Sequence, residues 1–430
     1  MSPLRYPRYR LALGISTCAW IALWLCNIAV VAGMLQAGRS SAEIGLFQGA
    51  WTLGTPLSVI AGGLITDRLG PTISVRIGLC FELAGMLLMA LLVAGGAPPL
   101  PLLLVAAMLI GASDGLNNVG VNVLAGGVVP RELMPAAIGM LLLGLASGRI
   151  VGGTVAGPAV AAFGASGALL LCAALVVGAM VLTLFVGRVE LAPTGMGRAY
   201  LDLRPALRWY RGMPVARTVL LIGGLMALLI YGYFSLLPVI VGETMGTDTT
   251  SQGLAMAVGG VGVAVGALTM GPIARRFGVG RLLIGAVLGA AAGLALLGFA
   301  QTAFLVLIAV TLLPTFTNVQ AASANVALQT LAPPAMRGRV VGMYSMTFSA
   351  LLPVGTIAAG WLGTRFGARE TLVALAVAMT VVAIGIRFWR PTLVRDLGRP
   401  GSAVGDATPG STASAANATD PATEPVHAES

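Results

Sequence analysis

The chain has 430 residues, of which 57% are hydrophobic and 9% charged, with a mean hydropathy of +0.94. Soluble domains carry about 25% charged residues, so a soluble globular protein is excluded. The net charge of +10 rests on arginine alone, with no lysine. These arginines cluster at the ends of apolar runs, the pattern of membrane topology rather than of nucleic-acid binding.

The apolar runs are far longer than the alternating strands of a β-barrel. An all-α polytopic membrane protein follows. Twelve spans are expected, at about 11–36, 43–66, 73–95, 100–128, 134–161, 165–187, 216–241, 251–273, 281–300, 302–331, 338–363 and 369–389. The first run continues as a span rather than ending as a cleavable leader. Arg39, Arg365 and Arg369 fall on one side of the membrane, and all other arginines outside the spans fall on the opposite side. That asymmetry predicts a plasma-membrane protein with both termini cytoplasmic.

The longest connection divides the spans six and six. The expected layout is an N-terminal half over 1–187, a cytoplasmic linker over 188–215, a C-terminal half over 216–390 and a disordered tail over 391–430. Arginines and aromatics at helical spacing from Tyr200 to Arg211 suggest an amphipathic surface helix in the linker, or simply a basic tether. Cys18, Cys26, Cys80 and Cys172 form no CxxC pair, and the single histidine, His427, sits in the tail. No metal, cofactor or enzymatic triad is expected. No GxxxxGK[ST] loop is present, so ATP is not the direct energy source.

Internal repetition is the strongest further signal. At an offset of 203, Asn122 meets Asn325, Pro130 meets Pro333, Gly157 meets Gly360 and Phe163-Gly164-Ala165 meets Phe366-Gly367-Ala368. The halves are therefore copies in one orientation. A finer frame, a glycine followed seven residues later by another glycine, closes spans two, five, eight and eleven: Gly63 to Gly70, Gly157 to Gly164, Gly271 to Gly278 and Gly360 to Gly367. Those ends alternate between membrane faces. This is the nesting of inverted three-helix units within two parallel halves.

On these residues the chain resembles the major facilitator superfamily over about 10–390. Gly63-Leu-Ile-Thr-Asp67-Arg68-Leu-Gly70 is similar to the family's loop signature after helix two, with Pro71-Thr72 where two basic residues are usual. Gly144, Gly153, Gly157 and Pro158 resemble the signature of proton-coupled exporters, with Ala161-Ala162 in place of its last glycines. RELMPAAIGM and MRGRVVGMYSMTF resemble the effector-secretion and multidrug-efflux branch.

The resemblance implies a secondary transporter working by alternating access, with protons as coupling ion. The expected function is export of a small amphipathic drug or metabolite by antiport, associated with multidrug resistance. The alternatives are a proton-coupled importer of a small solute and a transport-inactive sensor or scaffold. The expected partners are a small-molecule substrate, protons and the bilayer, with no nucleic acid, and the protein is expected to act as a monomer.

Specific residues are candidates for each task. Asp114, Asn117, Asn118 and Asn122 share one face of span four. With Trp24 and Asn27 of span one, Tyr231 and Phe234 of span seven, and Asn318, Gln320 and Asn325 of span ten, the amides are expected to line a central cavity; helix–helix glue is the alternative for the asparagines. Charges inside spans are costly and point to function. Asp114 is the expected proton carrier, paired with Arg149, and Glu82 is the second candidate. Asp67, Arg68, Gly63, Gly70 and Arg131 are expected to form a gate.

Overall fold

A computed structural model of the chain describes residues 2–96, 98–187, 189, 204–389 and 397, without the side chains of residues 131, 135, 335, 387 and 389. The rest of the linker, Tyr200 included, and nearly all of the expected tail lie outside the described residues.

The N-terminal half comprises α1 (Pro7–Gln36), α2 (Ser41–Leu69), α3 (Pro71–Ala94), α4 (Leu100–Val128) and α5 (Met134–Val186). A short α6 (Arg204–Gly212) follows. It is amphipathic, and its buried Tyr210 hydroxyl donates to the Val340 carbonyl at 3.0 Å, docking the segment on the C-terminal half. That half comprises α7 (Pro214–Leu225), a π-helical turn (Met226–Ile230), α8 (Tyr233–Thr244), α9 (Thr249–Phe277), α10 (Val279–Phe299), α11 (Ala303–Leu331), α12 (Arg337–Phe366) and α13 (Ala368–Trp389).

Among the described residues, 11 helices are long and apolar enough to cross a bilayer. One of them, Ala136–Val186, is 51 residues long. At about 1.5 Å per residue it is far longer than one crossing needs. It turns at Gly164, where φ is 70° and ψ is 171°, and so holds spans five and six. The fold is all-α and polytopic, with twelve crossings in two pseudo-symmetric halves.

The repeated frame has a backbone cause. Its four closing glycines, Gly70, Gly164, Gly278 and Gly367, have φ of 90°, 70°, 81° and 96°. A side chain is disfavoured there. The chain can thus end one helix and begin the next with almost no loop.

The halves meet along two seams, α2 against α12 and α5 against α9. Both are built from small residues. A methyl at Gly45 would lie 2.9 Å from the Gly360 Cα, and one at Gly153 would lie 2.6 Å from the Gly253 carbonyl oxygen. Without a hydrophobic drive inside lipid, such backbone contact supplies the association. Both contacts lie toward the arginine-poor end. There Gln36 also donates to the Thr247 carbonyl at 3.2 Å, and the Ala42 N–H donates to Thr364 Oγ1 at 2.9 Å. At the arginine-rich end, Gly271, the frame's counterpart in α9, has open space where a methyl would sit. The structure is closed toward the arginine-poor side. Large apolar side chains such as Leu91, Phe185, Phe304 and Phe388 are exposed, as befits a lipid-facing surface.

Candidate functional site

A cavity of about 290 Å³ lies between the halves. Its walls come from α1 (Trp20, Leu23, Trp24, Asn27), α2 (Gln48, Trp51, Thr52, Thr55), α4 (Asp114), the break in span seven (Tyr231, Phe234) and α12 (Phe348, Ser349, Leu352, Thr356). The break has an identifiable origin. The Tyr231 N–H bonds five residues back to the Met226 carbonyl at 3.1 Å, widening one turn, and such π segments recur at functional sites. Gly232 and Gly355 let the irregular segment press against α12, since a methyl at Gly232 would lie 2.7 Å from the Ala359 Cβ.

Polar groups in the cavity are fixed by one another. Asn27 Nδ2 donates to Gln48 Oε1 at 3.2 Å, and Asn27 Oδ1 accepts from Gln48 Nε2 at 3.4 Å. Thr55 Oγ1 lies 3.3 Å from Asp114 Oδ2 and 3.2 Å from the Gly111 carbonyl. The aromatic wall is continuous: Tyr231 meets Phe348 edge-on at 5.0 Å and Phe234 at 6.2 Å, and Phe234 faces Trp24 at 6.4 Å.

A second, smaller cavity of about 80 Å³ lies inside the N-terminal half. Trp20, Leu23 and Asp114 border both cavities. Glu82, Asn117, Asn118 and Asn122 border only the smaller one. Glu82 is fully buried on α3 and accepts from Asn117 Nδ2 at 3.1 Å through one oxygen, while its other oxygen has no partner among the described residues.

The structure separates some expected neighbours. Arg149 does not pair with Asp114. Its guanidinium is 4.8 Å from the Trp24 ring and 5.6 Å from the Phe234 ring, with Nη2 3.5 Å from Met256 Sδ and Nε without a partner among the described residues. The reason is the α5–α9 seam, which aims this face of α5 at the other half, where Gly259 leaves room for the guanidinium. Aromatic faces contribute up to about 2 kcal/mol to a desolvated cation, less than the several kcal/mol that its burial costs.

In α11, Asn318 donates back to the Pro314 carbonyl at 2.8 Å and Asn325 to the Ala321 carbonyl at 2.9 Å, and Gln320 is buried against the Tyr344 hydroxyl. None of the three borders the central cavity in this state. The reading by spans one, four, seven and ten missed α2 and α12, although Gln48, a lone amide in an apolar run, was a usable signal.

The motif glycines divide between two faces of α5. Methyls at Gly144, Gly148 and Gly152 would meet α1, and those at Gly153 and Gly157 would meet α9, with Pro158 following inside the helix. Of the residues expected to form a gate, Gly63 is buried, Asp67 half-buried and Arg68 exposed. Gly70 holds the turn into α3. The Arg131 backbone lies in a single 3₁₀ turn, Arg131–Leu133. Its side chain is outside the described residues.

Solved structures share this architecture at low sequence identity. The nucleoside transporter NupG, in a mutant form, matches with a TM-score of 0.75 and 13% identity, covering 89% of this chain and 98% of that one. A POT family transporter in complex with 5-aminolevulinic acid gives 0.71 and 14%, covering 90% and 96%. A bacterial homolog of the human lysosomal transporter Spinster, inward-facing and occupied, gives 0.69 and 16%, covering 92% and 99%. No curated protein matches the chain. Export by antiport, with its labels of efflux and multidrug resistance, is corrected by these comparisons. The structures of like architecture are described as nucleoside and POT family transporters, not as efflux pumps. Residues 1–396 match the family described as transmembrane secretion effector. The chain belongs to that family, within the major facilitator superfamily.

Proposed function

We propose that the protein is a proton-coupled symporter that takes up a small solute by alternating access of its two halves about the central cavity. The observation that carries this reading is Asp114. It is the one carboxylate bordering the central cavity among the described residues, and it borders the smaller cavity as well. A group at that junction can exchange a proton with one compartment while sensing solute in the other. The solute class suggested by the neighbours, nucleosides and 5-aminolevulinic acid, fits a wall of amides, hydroxyls and aromatic faces.

The other site residues take roles within this proposal. Glu82 with Asn117 is the second proton-carrying candidate. Asp67, Arg68 and Arg131 form a gate at the arginine-rich end, which is the cytoplasmic end if both termini are inside. Asn118 and Asn122 line the route from that end. The two halves, 1–187 and 216–390, move as bodies joined by the linker, and the bilayer is their solvent.

The test is uptake into proteoliposomes under an imposed pH gradient. A panel of labelled nucleosides, dipeptides and 5-aminolevulinic acid is offered outside at acidic pH. At least one solute should accumulate with the inward proton gradient, and collapse of the gradient should end it. Asp114→Asn should abolish accumulation while downhill counterflow persists. A gradient that drives solute out instead, or accumulation unaltered in Asp114→Asn, refutes the proposal.

A further inference from the structure

We propose that the transported solute carries a carboxylate, and that Arg149 with the Trp24 indole N–H is its binding point. This rests on the reading of the protein as a solute transporter. Arg149 is only 5% exposed and is held by two aromatic rings and a thioether, with no acidic group at ion-pair distance among the described residues. Two buried donors in this one place, Arg149 Nε and Trp24 Nε1, have no acceptor among the described residues. Buried donors are paired in folded proteins with few exceptions, and each exception needs a cause. Aromatic faces accept a cation but not these N–H bonds. A carboxylate supplies both the missing acceptors and the missing charge, in the bidentate geometry that a guanidinium favours.

Position strengthens the assignment. Trp24 and Phe234, the rings that cover Arg149, are also wall residues of the central cavity. The guanidinium sits directly behind that partition. Its contacts come from both halves: Trp24 from the N-terminal one, Phe234 and Met256 from the C-terminal one. Separation of the halves withdraws two of its three partners and leaves the cation to the solute. Carboxylate binding is thereby linked to the α5–α9 seam. The cavity also has its own acid, Asp114, so the solute's carboxylate and the coupling proton are held by different groups.

The test uses the full-length protein in nanodiscs, with thermal unfolding as the binding readout. The probes are 5-aminolevulinic acid, dialanine and succinate, set against 5-aminolevulinic acid methyl ester and uridine. At least one acid should raise the unfolding midpoint, while ester and uridine should not. Arg149→Gln should remove the shift, Arg149→Lys should keep part of it, and Trp24→Phe should weaken the apparent affinity about tenfold, as loss of one charged hydrogen bond does. Equal shifts from acid and ester, no shift from any acid, or a full shift in Arg149→Gln overturns the inference. Should Arg149→Gln fail to fold, the contrast between acid and ester on the unaltered chain decides. Binding is read here without a proton gradient. Acid binding through Arg149 without gradient-driven uptake supports this inference and defeats the symport reading; gradient-driven uptake of uridine with no response to acids does the reverse.

Discussion

The two seams between the halves are copies in backbone and strangers in chemistry. In one, Gly360 of α12 meets Gly45 of α2; in the other, Gly157 and Gly153 of α5 meet Thr250 and Gly253 of α9. Gly157 and Gly360 are the same position of the repeat. At the same offset, however, Arg149 corresponds to Leu352 and Asp114 to Thr317. Both charges belong to the N-terminal half. Duplication preserved what closes the transporter, which depends on the absence of side chains. The charged groups to which coupling and binding are assigned in the proposals above occur on one side only. The C-terminal half, which brings no charged residue to the border of the central cavity, contributes Tyr231, Phe234 and Phe348 to its wall and a surface to close against.

The largest expected effects come from filling the seams. A methyl at Gly153 would press on backbone, 2.6 Å from the Gly253 oxygen and 2.7 Å from the Ala257 nitrogen, with no flexible side chain to yield. Overpacking of this kind costs about 1–3 kcal/mol, enough to shift a two-state equilibrium about five- to 150-fold. Gly153→Ala should therefore populate the state separated at the arginine-poor end. Spin labels at residues 36 and 247, which touch across that end, should show the longer distance. Gly271→Ala meets open space in this state and should leave that distance unchanged, impairing only closure at the opposite end. Equal behaviour of the two variants would show that the seams do not alternate.

Much of this comparison was legible in the residues before any coordinates. The four-glycine frame announced the inverted repeat because a positive φ at Gly70, Gly164, Gly278 and Gly367 leaves a compositional trace. Span ends were legible for the same reason, including the division of α5 at Gly164. The partner of Arg149 was not. A charge in a span identifies a place that needs explanation, but which neighbour it faces depends on helix rotation, and the glycines of α5 serve two faces at once. The central wall was only half legible: spans one and seven contributed residues named for it, whereas span four contributed Asp114 and turned its asparagines to the smaller cavity, and Gln48, Thr55 and Thr356 arrive from helices whose sequence reads mainly as packing. The amides of α11 satisfy their own helix, which periodicity alone does not distinguish from lining a cavity.

A smaller effect is expected where the seams differ in their latches. The α2–α12 seam ends in hydroxyls, with Ser41 Oγ 3.1 Å from Thr364 Oγ1, which also accepts the Ala42 N–H. Thr364→Val removes both contacts. Because Thr364 is exposed, water replaces part of the loss, and the cost should be near the low end for a hydrogen bond, about 0.5 kcal/mol. The same spin-label pair should register a two- to threefold shift toward separation, about that energy expressed as a ratio. No change would confine closure to the glycine contacts.

The smallest effect concerns the caps of the two partner helices. α2 is capped by Ser40, whose hydroxyl accepts the Glu43 N–H at 3.3 Å; α9 is capped by Asp248, whose carboxylate accepts the Ser251 N–H at 3.0 Å and its hydroxyl at 2.8 Å. These bonds hold the Asp248 carboxyl below its ordinary value, with the backbone N–H of Ser251 the chief cause. A depressed acid stabilises the fold above its unfolded value, near 3.9, and that contribution is lost as pH falls through the lower folded value. Acidification below about pH 4 should then weaken the start of α9 and with it the α5–α9 seam. Asp248→Asn keeps the cap and removes the charge, so its stability should vary less over that range, whereas Asp248→Ala should cost about 0.5–1 kcal/mol near neutral pH, an ordinary cap loss at an exposed site. Thermal unfolding of the three chains at neutral and acid pH separates cap from charge. Parallel pH dependence in Asp248→Asn and the unaltered chain would show that the acid response of this seam arises elsewhere.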